Sequence, residues 1–119
     1  MDQDIEIQII ESFKQLVRSA VLYAKQADDY AMPDNTNLPA AIAYLQRASS
    51  KMSAAEALYW AQHEILMRNE AEIIFKQFDA FADELVHDYA TDHSQQWTDI
   101  QFNKLMDAVN DSAFALQNS

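Results

Sequence analysis

Apolar residues recur at intervals of three and four along almost the whole chain, which is the period of an amphipathic helix. This pattern predicts four helices, over about residues 4–30, 38–67, 69–91 and 98–117. The sequence contains neither the alternating β-branched runs of strands nor the Asn-Gly and Asp-Gly pairs of hairpins. Because the joins are short, we expect an all-α fold in a single domain, residues 1–119, arranged as an antiparallel up-and-down four-helix bundle.

The second predicted helix has the most regular apolar face. Large residues recur every seven positions, and alanines sit three positions after the first three of them. Alternating large and small residues let two helices approach closely. These positions are Leu38, Leu45, Met52, Tyr59 and Leu66, with Ala41, Ala48 and Ala55. The core faces of the other helices are Ile9, Phe13, Leu16, Val17, Ala20, Ala24 and Ala27; Ile74, Phe78, Phe81, Ala82, Leu85 and Tyr89; and Leu105, Val109, Ser112 and Leu116.

Proline and capping residues indicate where the helices end. Pro33 ends the first helix, and Pro39 suits the first turn of the second. Ser53-x-x-Glu56 is a capping box inside the second helix, so a kink near Ser53 is the alternative to a continuous helix. The join after Met67 contains neither glycine nor proline, so fusion of the second and third helices into one rod is a further alternative.

The fourth helix has the best-marked start. Thr98-x-x-Gln101 is a capping box, and Trp97 with Phe102 occupies the positions of a hydrophobic staple. We therefore expect Thr98 to cap this helix with its hydroxyl group.

Two residue types are missing from the 119-residue chain, glycine and cysteine. Glycine is the default residue for hairpin turns and phosphate loops, so P-loops and dinucleotide-binding fingerprints are excluded. Without cysteine there are no disulfides, thiolate metal sites or cysteine nucleophiles. The composition therefore favours a few long helices over a fold with many tight turns.

The net charge of −11 is unevenly distributed. Residues 1–76 carry 11 acids and 7 bases, whereas residues 77–119 carry 8 acids and a single base, Lys104. Such a surface repels nucleic acids and anionic membranes, so we expect neither as a partner. The acidic N-terminus lacks the basic flank and cleavage site of a signal peptide, and no apolar run is long enough to cross a bilayer. We therefore expect a cytoplasmic protein.

Two groups of residues have metal-ligand chemistry. Glu84 and His87 form an E-x-x-H motif, as in carboxylate-bridged helical bundles, but the chain has no second copy. A helical wheel places Glu84 on the flank and His87 away from the core, so we predict no metal there within one chain. A metal site that uses Glu84 and His87 across a dimer contact is an alternative. Glu56, His63 and Glu70 follow at seven-residue intervals close to the apolar face, and this polar strip is the alternative metal- or ligand-binding site.

The sequence indicates no catalytic site. His93 lies between Asp92 and Ser94, but residues adjacent in sequence do not form a triad, because its members must converge in space. The acidic residues of the third helix lack the paired motifs of magnesium-dependent pyrophosphatases and have no phosphate-binding lysine nearby in sequence. We interpret them as a solvated face: Asp79, Asp83, Glu84 and Asp88.

Several apolar residues fall outside the core faces, which is typical of an interface when they are contiguous. Trp60, Ile100 and Phe114 are the candidates, together with the acidic face of the third helix. We expect a small acidic, non-enzymatic module for protein–protein interaction that uses no cofactor. Its partner is a protein, basic or a second copy of this chain. Immunity proteins, inhibitors and adaptors are analogies in architecture only. The alternative is a bundle that binds a metal or ligand.

Overall fold

Long helices make up most of the described chain. The computed structural model describes residues 3–32, 37–66, 69–91 and 96–111. Its helices are α1 (Gln3–Ala31), α2 (Leu38–Ala61), α3 (His63–Leu66), α4 (Asn69–Thr91) and α5 (Gln96–Asn110). Those ranges contain no strand, so the prediction of an all-α fold is confirmed.

Helices α1 and α2 run antiparallel. The backbone N–H of Asn37 donates to the carbonyl of Tyr30 at 2.8 Å, and the ring of Tyr30 stacks on Tyr44 with centroids 5.7 Å apart. Farther back along α1, Phe13 meets Tyr59 near the end of α2, with centroids 6.3 Å apart. Partner positions on α2 therefore rise as positions on α1 fall, as expected for helices joined by a short loop.

Helices α4 and α5 pack in the same way. Phe81 contacts Phe102 with centroids 5.7 Å apart, and Asp88 accepts a hydrogen bond from Thr98 at 2.6 Å. The two helix pairs fit an elongated bundle of 52 × 22 × 22 Å. The described residues form five helices rather than four, because α3 is a separate single turn. The exact four-helix topology stays a prediction.

Alanines form much of the seam between α1 and α2. With no side chain beyond Cβ, they let the two backbones approach closely, and their neighbours fill the remaining space. The heptad face of α2 is confirmed, since its members are buried apart from Leu38, which is half-buried. The buried alanines are Ala20, Ala24, Ala27 and Ala31 of α1 and Ala41, Ala48 and Ala55 of α2.

Aromatic rings hold α1, α2 and α4 together. Phe13, Tyr59 and Phe75 form a cluster with ring centroids 5.6 to 6.3 Å apart and mostly edge-to-face geometry. The hydroxyl of Tyr59 donates to Glu72 at 3.1 Å, so its polar end is satisfied at the edge of the core. This contact places the start of α4 beside the end of α2.

The bounds of α2 test three predictions. Asn37 caps the helix by accepting a hydrogen bond from the N–H of Ala40 at 3.2 Å, and Pro39 occupies the first turn as expected. The helix continues through Ser53 without a break, so the alternative of a restart there is wrong. The helix ends at Ala61, earlier than predicted.

The end of α2 was not evident from the sequence because its hydrogen bonding continues across the break. Gln62 leaves the helical conformation, with φ −118° and ψ 40°. Its N–H donates to the carbonyl of Leu58, and its own carbonyl accepts from Leu66, both at 2.9 Å. Leu66 therefore remains buried on the heptad face. Whether α3 fuses with α4 depends on residues 67–68, which lie outside the described residues, as does Pro33.

The start of α5 corrects a prediction. The helix begins by Gln96, so Thr98 lies inside it rather than capping it. Its hydroxyl is fully buried and donates to Asp88 of α4. Leu105 and Val109 are buried as predicted. The predicted core positions Ser112 and Leu116 lie outside the described residues, and so does the side chain of Tyr89.

Membrane-spanning segments are not found among the described helices, none of which combines the necessary length with sufficient apolar character.

Candidate functional site

The E-x-x-H motif of α4 does bring potential metal ligands together. Ligand atoms of Glu84, His87 and Asp88 all lie within 4.8 Å of one another, and this is the one such group in the part of the chain that the structure describes. Glu84 is half-buried and His87 is exposed, as the helical wheel predicted. All three residues lie on successive positions of one helix face, where side chains are neighbours whatever their function. Bundle metal sites instead draw ligands from several helices.

Asp88 corrects the prediction of a solvated acidic face. Its side chain is fully buried, and its Oδ2 accepts a hydrogen bond from the Thr98 hydroxyl at 2.6 Å. Hydrogen bonds of this length from a hydroxyl to a carboxylate are charge-assisted and strong. Asp88 therefore joins α4 to α5 from inside the bundle and is not available to a partner at the surface.

The alternative site of Glu56, His63 and Glu70 is not assembled. Glu56 lines a small cavity of about 100 Å³ between α2 and α4, together with Asp79. His63 lines a different cavity, where its ring stacks on Trp60. Glu70 is half-buried and lines neither of these two cavities. The hydrogen bonds across Gln62 keep the helical register as far as Leu66, but Glu56 and His63 nevertheless line different cavities.

The remaining acidic face of α4 is open to solvent at Asp79 and Asp83, with Glu84 half-buried. Partial burial, with the charge of Asp83 one turn away, raises the pKa of the Asp79 carboxyl. The negative charge of Asp83 disfavours ionisation of the Asp79 carboxyl, as a like charge nearby does.

An open cavity of about 630 Å³ lies at the junction between the end of α2 and the start of α3. The residues that line it are Glu6, Trp60, Ala61, Gln62, His63, Glu64 and Ile65. Trp60 is 59% exposed, and the ring of His63 stacks on it with centroids 5.2 Å apart and an interplanar angle of 12°. The ring of Tyr59 meets the indole edge-on at 5.0 Å. An aromatic side chain is thus held in place at the surface, with carboxylates beside it.

Large exposed apolar side chains gather at the same end of the bundle. Ile5 and Ile7 lie at the start of α1, Trp60 at the end of α2 and Ile73 near the start of α4, each between 45% and 59% exposed. The antiparallel packing brings these three helix ends together. In the described ranges, the other large apolar side chains that are exposed are Leu22, Val86 and Trp97. Ile5 and Ile7 are two positions apart and lie on different sides of α1, so a partner would have to surround this end of the bundle to cover both.

The other predicted partner-binding residues are placed less favourably. Ile100 is half-buried rather than directed into solvent. Phe114 lies outside the described residues, as does the loop histidine His93. Of the three predicted apolar candidates, Trp60 is therefore the one whose side chain is exposed among the described residues.

A buried pair of carboxyl groups was missed by sequence reasoning. Asp28, near the end of α1, is 4% exposed and forms a side-chain hydrogen bond with Asp99 of α5. Burial, then the hydrogen bond and the charge of Asp99, raise the pKa of Asp28 to about 8. A signal was available, because Asp28 follows Ala24 by four positions and so shares the apolar face of α1. The pair links α1 to α5.

Comparison with protein families, with curated proteins and with solved structures finds no match to this chain.

Proposed function

We propose that this protein is a non-enzymatic interaction module that binds a basic protein partner through the end of the bundle formed by the start of α1, the end of α2 and the start of α4. The observation that carries the proposal is the exposure of four large apolar side chains at that end: Ile5, Ile7, Trp60 and Ile73. Exposed apolar side chains beside carboxylates provide both desolvation and steering in protein interfaces.

Charge supports a basic partner. The chain carries a net charge of −11, and the exposed face with Asp79 and Asp83 adds a second acidic surface along α4. Opposite charge on a partner accelerates encounter and excludes acidic competitors, although it contributes less to affinity than the buried apolar contacts. We infer that the acidic face steers the partner and that the apolar end holds it.

The alternative of a metal-binding bundle has weaker support. Its best group is Glu84, His87 and Asp88, which comes from a single helix. The carboxylate of Asp88 is already engaged by Thr98. A stoichiometric metal in untagged protein, purified without chelators and absent from the His87→Ala variant, would favour the alternative over the interaction module.

The proposal is tested by capture of partners on the immobilised full chain from a lysate of the source organism, followed by cross-linking and mass spectrometry. We expect a basic protein, cross-linked near the start of α1, whose recovery falls more than about tenfold with Trp60→Ala, as for a hot-spot aromatic. The matched control is Trp97→Ala, since Trp97 is 49% exposed and lies at the opposite end. Equal recovery of the partner with the wild type, Trp60→Ala and Trp97→Ala would contradict the proposal.

A further inference from the structure

We propose that the 630 Å³ cavity binds an arginine side chain of the basic partner, with its guanidinium group between the indole of Trp60 and the carboxylates of Glu6 and Glu64. The inference rests on the proposed function and deepens it, since it names the chemical group that the end of the bundle recognises. The volume of the cavity, about 630 Å³, falls in the range of about 300 to 1,000 Å³ that is usual for ligand pockets.

The charges of the cavity favour a cation. Glu6 comes from α1 and Glu64 from α3, and both acidic residues line the same cavity as Trp60. No lysine or arginine is among the described residues that line the cavity. A cation placed there satisfies both carboxylates and meets the negative face of an aromatic ring, which attracts cations electrostatically.

The shape and rigidity of the indole favour arginine over lysine. Guanidinium is planar, stacks on aromatic faces and pairs with carboxylates through two hydrogen bonds, whereas ammonium is a compact, strongly hydrated charge. Trp60 is kept in place by His63, which stacks on it at 5.2 Å, and by the edge of Tyr59 at 5.0 Å. A side chain that is already ordered loses little entropy when a ligand stacks on it.

The position of the cavity also favours a side chain that belongs to a protein. Ile5 and Ile7 flank Glu6 on α1 and are 45% and 50% exposed. A free small cation would leave both residues in water, whereas a partner whose arginine enters the cavity can cover them. The arginine would then be the anchor at the centre of an interface with an apolar border.

The test is an NMR titration of the full chain with the capped tripeptide acetyl-Ala-Arg-Ala-amide, followed through the indole N–H signals. The chain has two tryptophans, so Trp97 serves as an internal reference. We expect the Trp60 signal to shift saturably and the Trp97 signal to remain in place. Affinity in the range of about 1 mM is expected for so small a ligand, since few contacts offset the cost of association.

Variants separate the contributions. Trp60→Ala should abolish saturable binding, read out on the backbone signals of residues 61–65. Glu6→Gln and Glu64→Gln should each weaken binding by about threefold to fivefold, as for a partly exposed ion pair. The control is Asp29→Asn, which also removes one negative charge but lies about 35 Å farther along α1 and is exposed. It should leave the affinity unchanged.

Three results would overturn the inference. The first is equal binding of the tripeptide with citrulline or lysine in place of arginine. The second is an equal effect of Asp29→Asn and Glu64→Gln. The third is concentration-dependent dimerisation of the wild type that Trp60→Ala abolishes, because the cavity would then be filled by a second copy. If the tripeptide fails to bind while Trp60→Ala still abolishes partner capture, the arginine site is wrong and the interaction module stands.

Discussion

Removing the ionisable group at Asp28 should stabilise the protein and should do so more as the pH rises. The carboxyl of Asp28 is 4% exposed and hydrogen-bonded to Asp99, and its pKa is raised to about 8. One of its oxygens, Oδ1, has no hydrogen-bond partner among the described residues. A hydrogen bond between two carboxyl groups needs a proton on one of them, so folding favours protonated Asp28.

The sign follows from proton linkage. An unfolded aspartate has a pKa of about 3.9, so between about pH 4 and pH 8 the folded protein retains a proton that the unfolded chain has released. Raising the pH through this window therefore favours unfolding, by just over 1 kcal/mol for each pH unit. Across the window the loss reaches on the order of 5 kcal/mol as an upper bound. The contribution of the protonated Asp28 carboxyl to the free energy of unfolding is therefore fully present below about pH 4 and is lost above about pH 8.

Asp28→Asn replaces the carboxyl with an amide that stays neutral and donates to Asp99. We expect its free energy of unfolding to exceed that of the wild type by up to roughly 4 kcal/mol at pH 7. The difference between the two proteins should widen by up to roughly 4 kcal/mol from pH 5 to pH 8. Urea unfolding followed by circular dichroism measures both values. Lower pH is avoided because the isoelectric point is about 4.3.

The control for this experiment is Asp107→Asn, which removes an exposed carboxylate from α5. Its free energy of unfolding should stay within about 0.5 kcal/mol of the wild type at every pH, as for most surface substitutions. A constant difference between Asp28→Asn and the wild type would refute the linkage argument, because an amide that only packed better would act equally at all pH values. Destabilisation that grows with pH would refute it as well.

Two further predictions concern packing. Thr98→Val keeps the shape of the side chain but leaves the buried Asp88 carboxylate without its hydroxyl donor at 2.6 Å, so urea unfolding should show a loss of about 1 to 3 kcal/mol; an unchanged midpoint would contradict the importance of this bond. Ala48→Leu adds volume to a fully buried position in the α1–α2 seam and should cost about 1 to 3 kcal/mol. The exposed Ala43→Leu is its control, and equal effects of the two substitutions would refute close packing at the seam.

Local spacing along the sequence was sufficient to predict the long helices and most of the faces that they bury, although not the bounds of α2 and α5. Helical periodicity and the seven-residue repeat of α2 depend on neighbours within a few turns, so Leu45, Met52 and Tyr59 are buried as predicted. The exposure of Trp60 followed from the same count, because its position on the helix is fixed relative to theirs. Local spacing also placed His87 on the solvent side.

Tertiary structure alone decided which polar groups meet. Thr98 was expected to cap its own helix, but its hydroxyl bonds Asp88, ten positions away on another helix. Asp28 pairs with Asp99 across the bundle, and Glu6 reaches the cavity of Glu64 because α1 and α2 are antiparallel. A polar side chain that is buried takes whichever partner the packing of distant helices supplies, and helical spacing within one segment contains no information about that partner.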